Sequence, residues 1–176
     1  PASAAAAADP DRPFPELPLL SDSEHDQILR AWNATESDFP EIPVHRLFEW
    51  QAEISPGATA LVAADEQLTY AELSRRANRL AHHLRRMGVG PEVLVGVSLE
   101  RSAELVVTLL GILKAGGAYL PLDPSYPRER LRMVLEDARA SVLLTSRELA
   151  GSLFTDLPVS TRVVCLDSGE ILDENG

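Results

Sequence analysis

From residue 58 onward, short apolar runs alternate with longer amphipathic stretches, and this alternation narrows the possible folds more than any other feature. ATALVAA (58–64) reads as a strand, Asp65-Glu66 as a turn and Gln67-Leu68-Thr69 as a short returning strand. Thr69 and Glu72 have capping-box spacing: the Thr oxygen takes the backbone N–H three residues on, and the Glu reaches back. A helix is therefore predicted over 70–87, with Leu73, Ala77, Leu80, Ala81 and Leu84 as one stripe. Gly88 ends it, because a residue without Cβ takes the left-handed conformation after the last turn. EVLVGVS (92–98) reads as a buried strand, and 102–115 as a largely apolar helix stopped by Gly116-Gly117. AYLPL (118–122) is another extended run, and Pro127 fits the first turn of a helix over 127–138, where its missing N–H costs nothing. SVLLTS (141–146) and TRVVCLD (161–167) are two further strands, separated by a segment whose pattern is ambiguous. Strand, helix, strand, helix, strand is the order of a mostly parallel sheet flanked by helices, so the fold class is α/β.

Upstream the pattern differs. The first eighteen residues combine an Ala run with prolines at 10, 13, 15 and 18, which favours an extended, flexible connector. Ser21 and Glu24 repeat the capping-box spacing, and a short helix over 22–34 follows with Ile28, Leu29 and Trp32 as its apolar face. Residues 35–43 break it with two prolines. Val44, Leu47, Phe48, Ala52 and Ile54 then recur at helical spacing, placing a second helix over 44–54. The division is a linker with a short helix over 1–43 and an α/β portion over 44–176.

Aromatics are only 5% of the chain, so burial rests on Leu, Val, Ile and Ala, which suits helices packed on a sheet. A formal charge of −11 argues against nucleic acid as a partner, because phosphate contacts need clustered Lys and Arg. The single cysteine, Cys165, lies in an apolar run and reads as a buried thiol in a reducing compartment. No apolar stretch approaches the roughly 20 residues needed to span a bilayer, and the Ala-rich start lacks a basic region. The expected location is cytoplasmic, with no membrane partner.

An α/β layer binds ligands beyond the carboxyl ends of its strands. After EVLVGVS come Arg101 and Ser102, a guanidinium and a hydroxyl at a helix start that could hold an anion; without a Gly-rich turn they read rather as a surface charge and a helix N-cap. After AYLPL comes Asp123, placed like a receiver domain's phosphoacceptor. A receiver also needs an acidic pair ending its first strand, whereas Asp65-Glu66 leads into a hairpin. There is no G-x-x-x-x-G-K-[ST], G-x-G-x-x-G or G-x-S-x-G, and no Cys/His cluster with metal spacing. Gly111, Gly116 and Gly117 read as close packing and a stop signal. His82 and His83 are adjacent on a helix and point to different faces, so they make a poor ligand pair; His25 and His45 read as helix-surface residues. Asp167, Glu170, Asp173 and Glu174 read as a solvated loop. No catalytic, cofactor-binding or metal residue is assigned.

These segments resemble, in order and spacing, the opening of amino-acid adenylation domains of nonribosomal peptide synthetases, within the adenylate-forming enzyme superfamily. LTYAEL (68–73) is similar to that family's first core motif and LKAGGAYLPLDPSYPRERL (113–131) to its second, with VSLERSAELVVTLLGIL (97–113) between them. LPLLSDSE (17–24) and AWNAT (31–35) resemble the linker from an upstream condensation domain, and VHRLFEWQAEISPGATAL (44–61) the entry to the adenylation domain. The resemblance runs from about residue 14 to residue 167. It implies a parent enzyme, a ligase of secondary metabolite biosynthesis, that uses ATP and Mg²⁺ to convert an amino acid to an aminoacyl adenylate. The acyl group then passes to the phosphopantetheine thiol of a carrier-protein domain. In the family, the phosphate loop, the acidic residue for metal or ribose, the catalytic Lys and the side-chain pocket all lie later than Gly176. The resemblance therefore implies that this segment is scaffold, incomplete at its C-terminal end, binds neither ATP nor Mg²⁺ alone and is inactive by itself. Tyr70 with the Thr69/Glu72 cap would fix a helix entry, and Gly116-Gly117 would let a helix close on the AYLPL strand. The other reading is a self-contained α/β binding or docking module.

Overall fold

The computed structural model describes residues 11, 13, 19–64, 66–155, 157 and 161–168. The connector over 1–18, apart from Asp11 and Pro13, lies outside the described residues, as do Asp65, Glu170, Asp173 and Glu174. The chain divides into two units, residues 1–41 and 42–176.

In the first unit, α1 (Asp22–Asp26) starts from the expected cap: Glu24 N–H donates to Ser21 Oγ at 3.3 Å, and Ser21 N–H donates to the Glu24 carboxylate at 2.8 Å. It continues as a π-helical stretch over Gln27–Ala31 and stops short of residue 34. Asn33 explains the early stop, because its side-chain amide donates to Ile28 O at 2.7 Å and takes a carbonyl from the next turn. Leu29 and Trp32 of the anticipated apolar face are exposed.

The second unit opens with α2 (Val44–Ile54), followed by β1 (Thr59–Val62) and β2 (Gln67–Thr69), an antiparallel pair. Then come α3 (Tyr70–Arg86), β3 (Leu94–Ser98), α4 (Ala103–Ala115) and β4 (Ala118–Pro121). The remainder is α5 (Arg128–Ala138), β5 (Val142–Thr145), α6 (Arg147–Leu153), β6 (Arg162–Cys165) and a 3-10 turn at Leu166–Ser168. Pro127 is the cap before α5, not a member of its first turn. Helix α6 occupies the segment whose pattern was ambiguous. It is short, holds Gly151 and starts from Ser146, which the sequence pattern assigns to a strand; Ser146 Oγ accepts Leu149 N–H at 3.2 Å.

Strands β3 to β6 form one parallel sheet in the order β4-β3-β5-β6. The chain leaves β3 to one side for β4, then returns past it to β5, so the order reverses between β3 and β5. All four residues of β5 are buried, as are Val95 to Ser98. Alternation along β5 divides the core. Val142 and Leu144 pack with Leu80, Leu84 and Ile112 of α3 and α4, while Leu143 packs with Leu131 and Leu135 of α5 and with Phe154. A Cβ on Gly111 would stand 2.8 Å from Leu80 Cδ2, so this glycine is what lets α3 and α4 approach. Gly88 and Gly116 end α3 and α4 with φ of +88° and +93°.

The outer strands are different. Apolar residues at successive positions predict cover on both sheet faces, but β4 and β6 are largely exposed or half-buried. Each pairs with a single neighbour among the described residues. Cys165 is accordingly half-buried, because β6 is an edge strand. Among the described residues, no helix is long and apolar enough to cross a membrane.

Candidate functional site at the strand ends

Where strand order reverses, a crevice of about 330 Å³ lies beyond the carboxyl ends of β3, β5 and β6. By topology this is the place for a ligand. Three of its polar side chains are already committed. Ser102 Oγ accepts Leu105 N–H at 3.3 Å and caps α4; Ser146 caps α6. Asp167 is exposed, as a solvated segment implies, but its carboxylate also accepts the Arg147 N–H at 2.9 and 3.1 Å and so caps the first turn of α6 from 20 residues away. The remaining charged lining is Glu100, Glu104 and Glu148. Burial pushes the Glu104 carboxyl up, opposed by the charge of Arg76. Two helix N-termini, the part of a helix that attracts an anion, are thus occupied by their own side chains inside a carboxylate-lined wall, the wrong sign for a phosphate. No group of three His, Cys, Asp or Glu among the described residues is arranged to hold a metal. The described residues of this crevice fit neither a nucleoside triphosphate nor its Mg²⁺.

Asp123 follows β4, an edge strand, and is exposed. Ser125 N–H donates to its Oδ1 at 2.9 Å, and this bond is the main cause holding its carboxyl below the usual range. It closes a turn, and Glu66, half of the acidic pair a receiver would need, is ion-paired with Arg76. Arg101 is exposed. His25 and His82 are exposed; His45 is half-buried, and burial holds its imidazole below the usual range.

Sequence reasoning missed two features. Ser98 and Thr145 stand in register on β3 and β5, fully buried, with no hydrogen-bond partner for either hydroxyl among the described residues. Lys114 is also buried. Its ammonium donates to Asn78 Oδ1 at 2.8 Å and Ser74 Oγ at 3.1 Å, pairs with Glu49 at 3.2 Å, and sits 5.5 Å from the Phe48 ring centroid. The Arg85 guanidinium donates to the Lys114 carbonyl. The signal lay in the helical spacing of Val107, Gly111 and Lys114, three residues on the buried face of α4.

A four-stranded parallel sheet joined by crossover helices, its strand order reversing between β3 and β5, defines an α/β layer. The profile of the AMP-binding enzyme family matches residues 48–176. The chain belongs to that family. It is 48% identical to a linear gramicidin synthase of Brevibacillus parabrevis over 95% of this chain and 2% of the relative. It is 44% identical to bacitracin synthase 3 of Bacillus licheniformis over 78% of this chain and 2% of the relative. Among solved structures, the nonribosomal peptide synthetase FmoA3 superposes with a TM-score of 0.71 at 43% identity, covering 77% of this chain and 14% of that one. Its AMPPNP-bound form gives 0.70 at 38% identity, covering 92% and 18%. The chain thus spans a few per cent of the length of the curated relatives it matches, and it corresponds to a segment of a nonribosomal peptide synthetase adenylation domain.

Proposed function

We propose that this segment is scaffold for an enzyme that activates an amino acid with ATP, assisted by Mg²⁺, to an aminoacyl adenylate and loads it onto a carrier-protein thiol. Residues 1–43 would be the linker from an upstream condensation domain, and 44–176 the N-terminal portion of the adenylation domain, working in the cytoplasm with the rest of that domain and a carrier protein. The carrying observation is the strand-end crevice, where helix caps and Glu100, Glu104 and Glu148 leave no donor set for phosphates. The chemistry needs a flexible loop for phosphates and a cation at the transferred phosphorus. Lys114 cannot supply that cation, because its ammonium is engaged by Glu49, Ser74 and Asn78. Amino-acid-dependent pyrophosphate exchange tests the proposal: none above background for this chain, and exchange for a longer polypeptide that includes it. Exchange by the 176-residue chain with any amino acid would overturn the reading.

A further inference from the structure

A cleft of about 600 Å³ opens between α2 and α3, apart from the strand-end crevice and sharing no lining residue with it. Lys114 lines it from the last turn of α4, which brings the chain back to the start of β4. Glu49, on the α2 side, is already neutralised, since its two oxygens meet Lys114 at 3.2 Å and Arg46 at 2.9 Å. Glu53 is then the only other carboxylate among the lining residues named, facing Arg75, Arg79 and His82, which recur along one side of α3. Neither Arg75 nor Arg79 has a carboxylate within ion-pair distance among the described residues. The Nε of half-buried Arg79 is buried with no hydrogen-bond partner among them. A buried donor without an acceptor is destabilising, and a carboxylate approaching side-on satisfies Nε and a terminal nitrogen together.

The wider charge pattern agrees. Helix α3 carries five arginines (75, 76, 79, 85 and 86) and one glutamate, in a chain of net charge −11. It is the local reversal of sign toward which an acidic partner is steered. On α2, Trp50 and Ile54 are 61% and 58% exposed, one helical turn apart, and each directly follows a cleft-lining glutamate, Glu49 or Glu53, in sequence. An exposed Trp on one wall helix and unpaired Arg on the other are residue types that protein interface hot spots favour; a small free anion would have no use for the apolar pair. We propose that the cleft between α2 and α3 is a docking surface for an acidic protein segment, seating a carboxylate against Arg79 and an apolar side chain on Trp50 and Ile54.

The test is an NMR titration of the full chain with a synthetic peptide of repeating Glu-Glu-Leu. The Arg79 Nε–H and Trp50 indole N–H should shift together, and binding should weaken as salt rises. Arg79→Gln and Trp50→Ala should each weaken binding by about tenfold or more, as hot-spot truncations do. Arg79→Lys, which keeps the charge but loses the fork, should weaken it too. Unchanged resonances of Val95 and Leu143 report that each variant is folded. Equal affinity in Arg79→Gln, equal binding of a Gln-Gln-Leu peptide, or no binding at low salt would overturn the proposal. So would acetate shifting Arg79 at the peptide's concentrations, which would make the cleft a small-anion site.

Discussion

The Lys114 ammonium lies 3.2 Å from Glu49 Oε1 with its side chain only 3% exposed, so one ion pair ties the end of α4 to α2. A buried cation is tolerated when it is paired and hydrogen-bonded, and Ser74 and Asn78 supply the rest of its shell. Removing one partner is worse than removing both, because the survivor stays buried and uncompensated.

Glu49→Gln should therefore destabilise the chain by about 2 kcal/mol, below the ~3–5 kcal/mol of a fully buried pair because Glu49 retains some solvent. Burial alone would push the Glu49 carboxyl up, but the hydrogen bonds and charges of Lys114 and Arg46 outweigh it and hold the group below its ordinary value. A carboxyl depressed in the folded state contributes stability that is present above the unfolded value and lost as pH falls through the folded one. Urea midpoints measured from pH 7 down to about 3, a window set by the ordinary carboxylate range, should fall more steeply for the parent than for Glu49→Gln. Parallel pH profiles would show that the pair adds nothing.

Thr69→Ala should cost about 1 kcal/mol, the usual size of a lost N-cap. Thr69 Oγ1 accepts Glu72 N–H at 3.3 Å and donates to the Glu72 carboxylate at 2.8 Å, while Thr69 N–H donates to that carboxylate at 2.9 Å. The backbone bond is the larger cause of the depressed Glu72 carboxyl, the hydroxyl bond the second. In the variant the Glu72 titration, followed by carboxyl NMR, should move part of the way back toward the ordinary value, and the denaturation midpoint should fall. An unmoved midpoint would mean that the cap contributes nothing.

Local patterns made most of this fold legible. The caps at Ser21 and Thr69 and the glycine stops at 88 and 116 depend on neighbours in sequence, and they appear where spacing put them. What depends on strand order was hidden. Val163 and Cys165 look like Val142 and Leu143 in sequence, yet among the described residues β6 is an edge and β5 is central, and only the topology separates them. Asp167 was opaque for a similar reason, since it caps a helix that begins 20 residues earlier. Lys114 was masked by the general exposure of lysine, although its position on the buried stripe of α4 was readable. The strand ends were legible as the place for a crevice and Ser102 as a cap, but the crevice's closure by Ser146 and Asp167 required α6.

Thr145→Val should raise stability by about 1 kcal/mol. The Thr145 hydroxyl is fully buried and without a partner among the described residues, so it carries a desolvation cost that an apolar group of the same shape avoids. The urea midpoint should rise with an unchanged slope. A lower midpoint would show that the hydroxyl makes a hydrogen bond worth more than its burial costs.

The sheet's edges set the behaviour of the isolated chain in solution. Among the described residues, β4 and β6 each pair with one neighbour and leave Tyr119 43% and Val163 36% exposed. Unpaired strand edges and bare apolar area both favour association, and under the proposed scaffold role the remainder of the adenylation domain would cover them. The net charge of −11 opposes association through repulsion, which is strong when unscreened and falls as the Debye length shortens from about 30 Å at 0.01 M salt to about 8 Å at 0.15 M. The two effects predict a chain that is monomeric and binds a hydrophobic dye strongly at low ionic strength, and that associates increasingly as salt is added. Sedimentation velocity across that range, with dye fluorescence in parallel, measures both. A monomer at every salt concentration with no dye bound would mean that the edges and apolar faces are already covered, and it would favour the self-contained docking module over the scaffold.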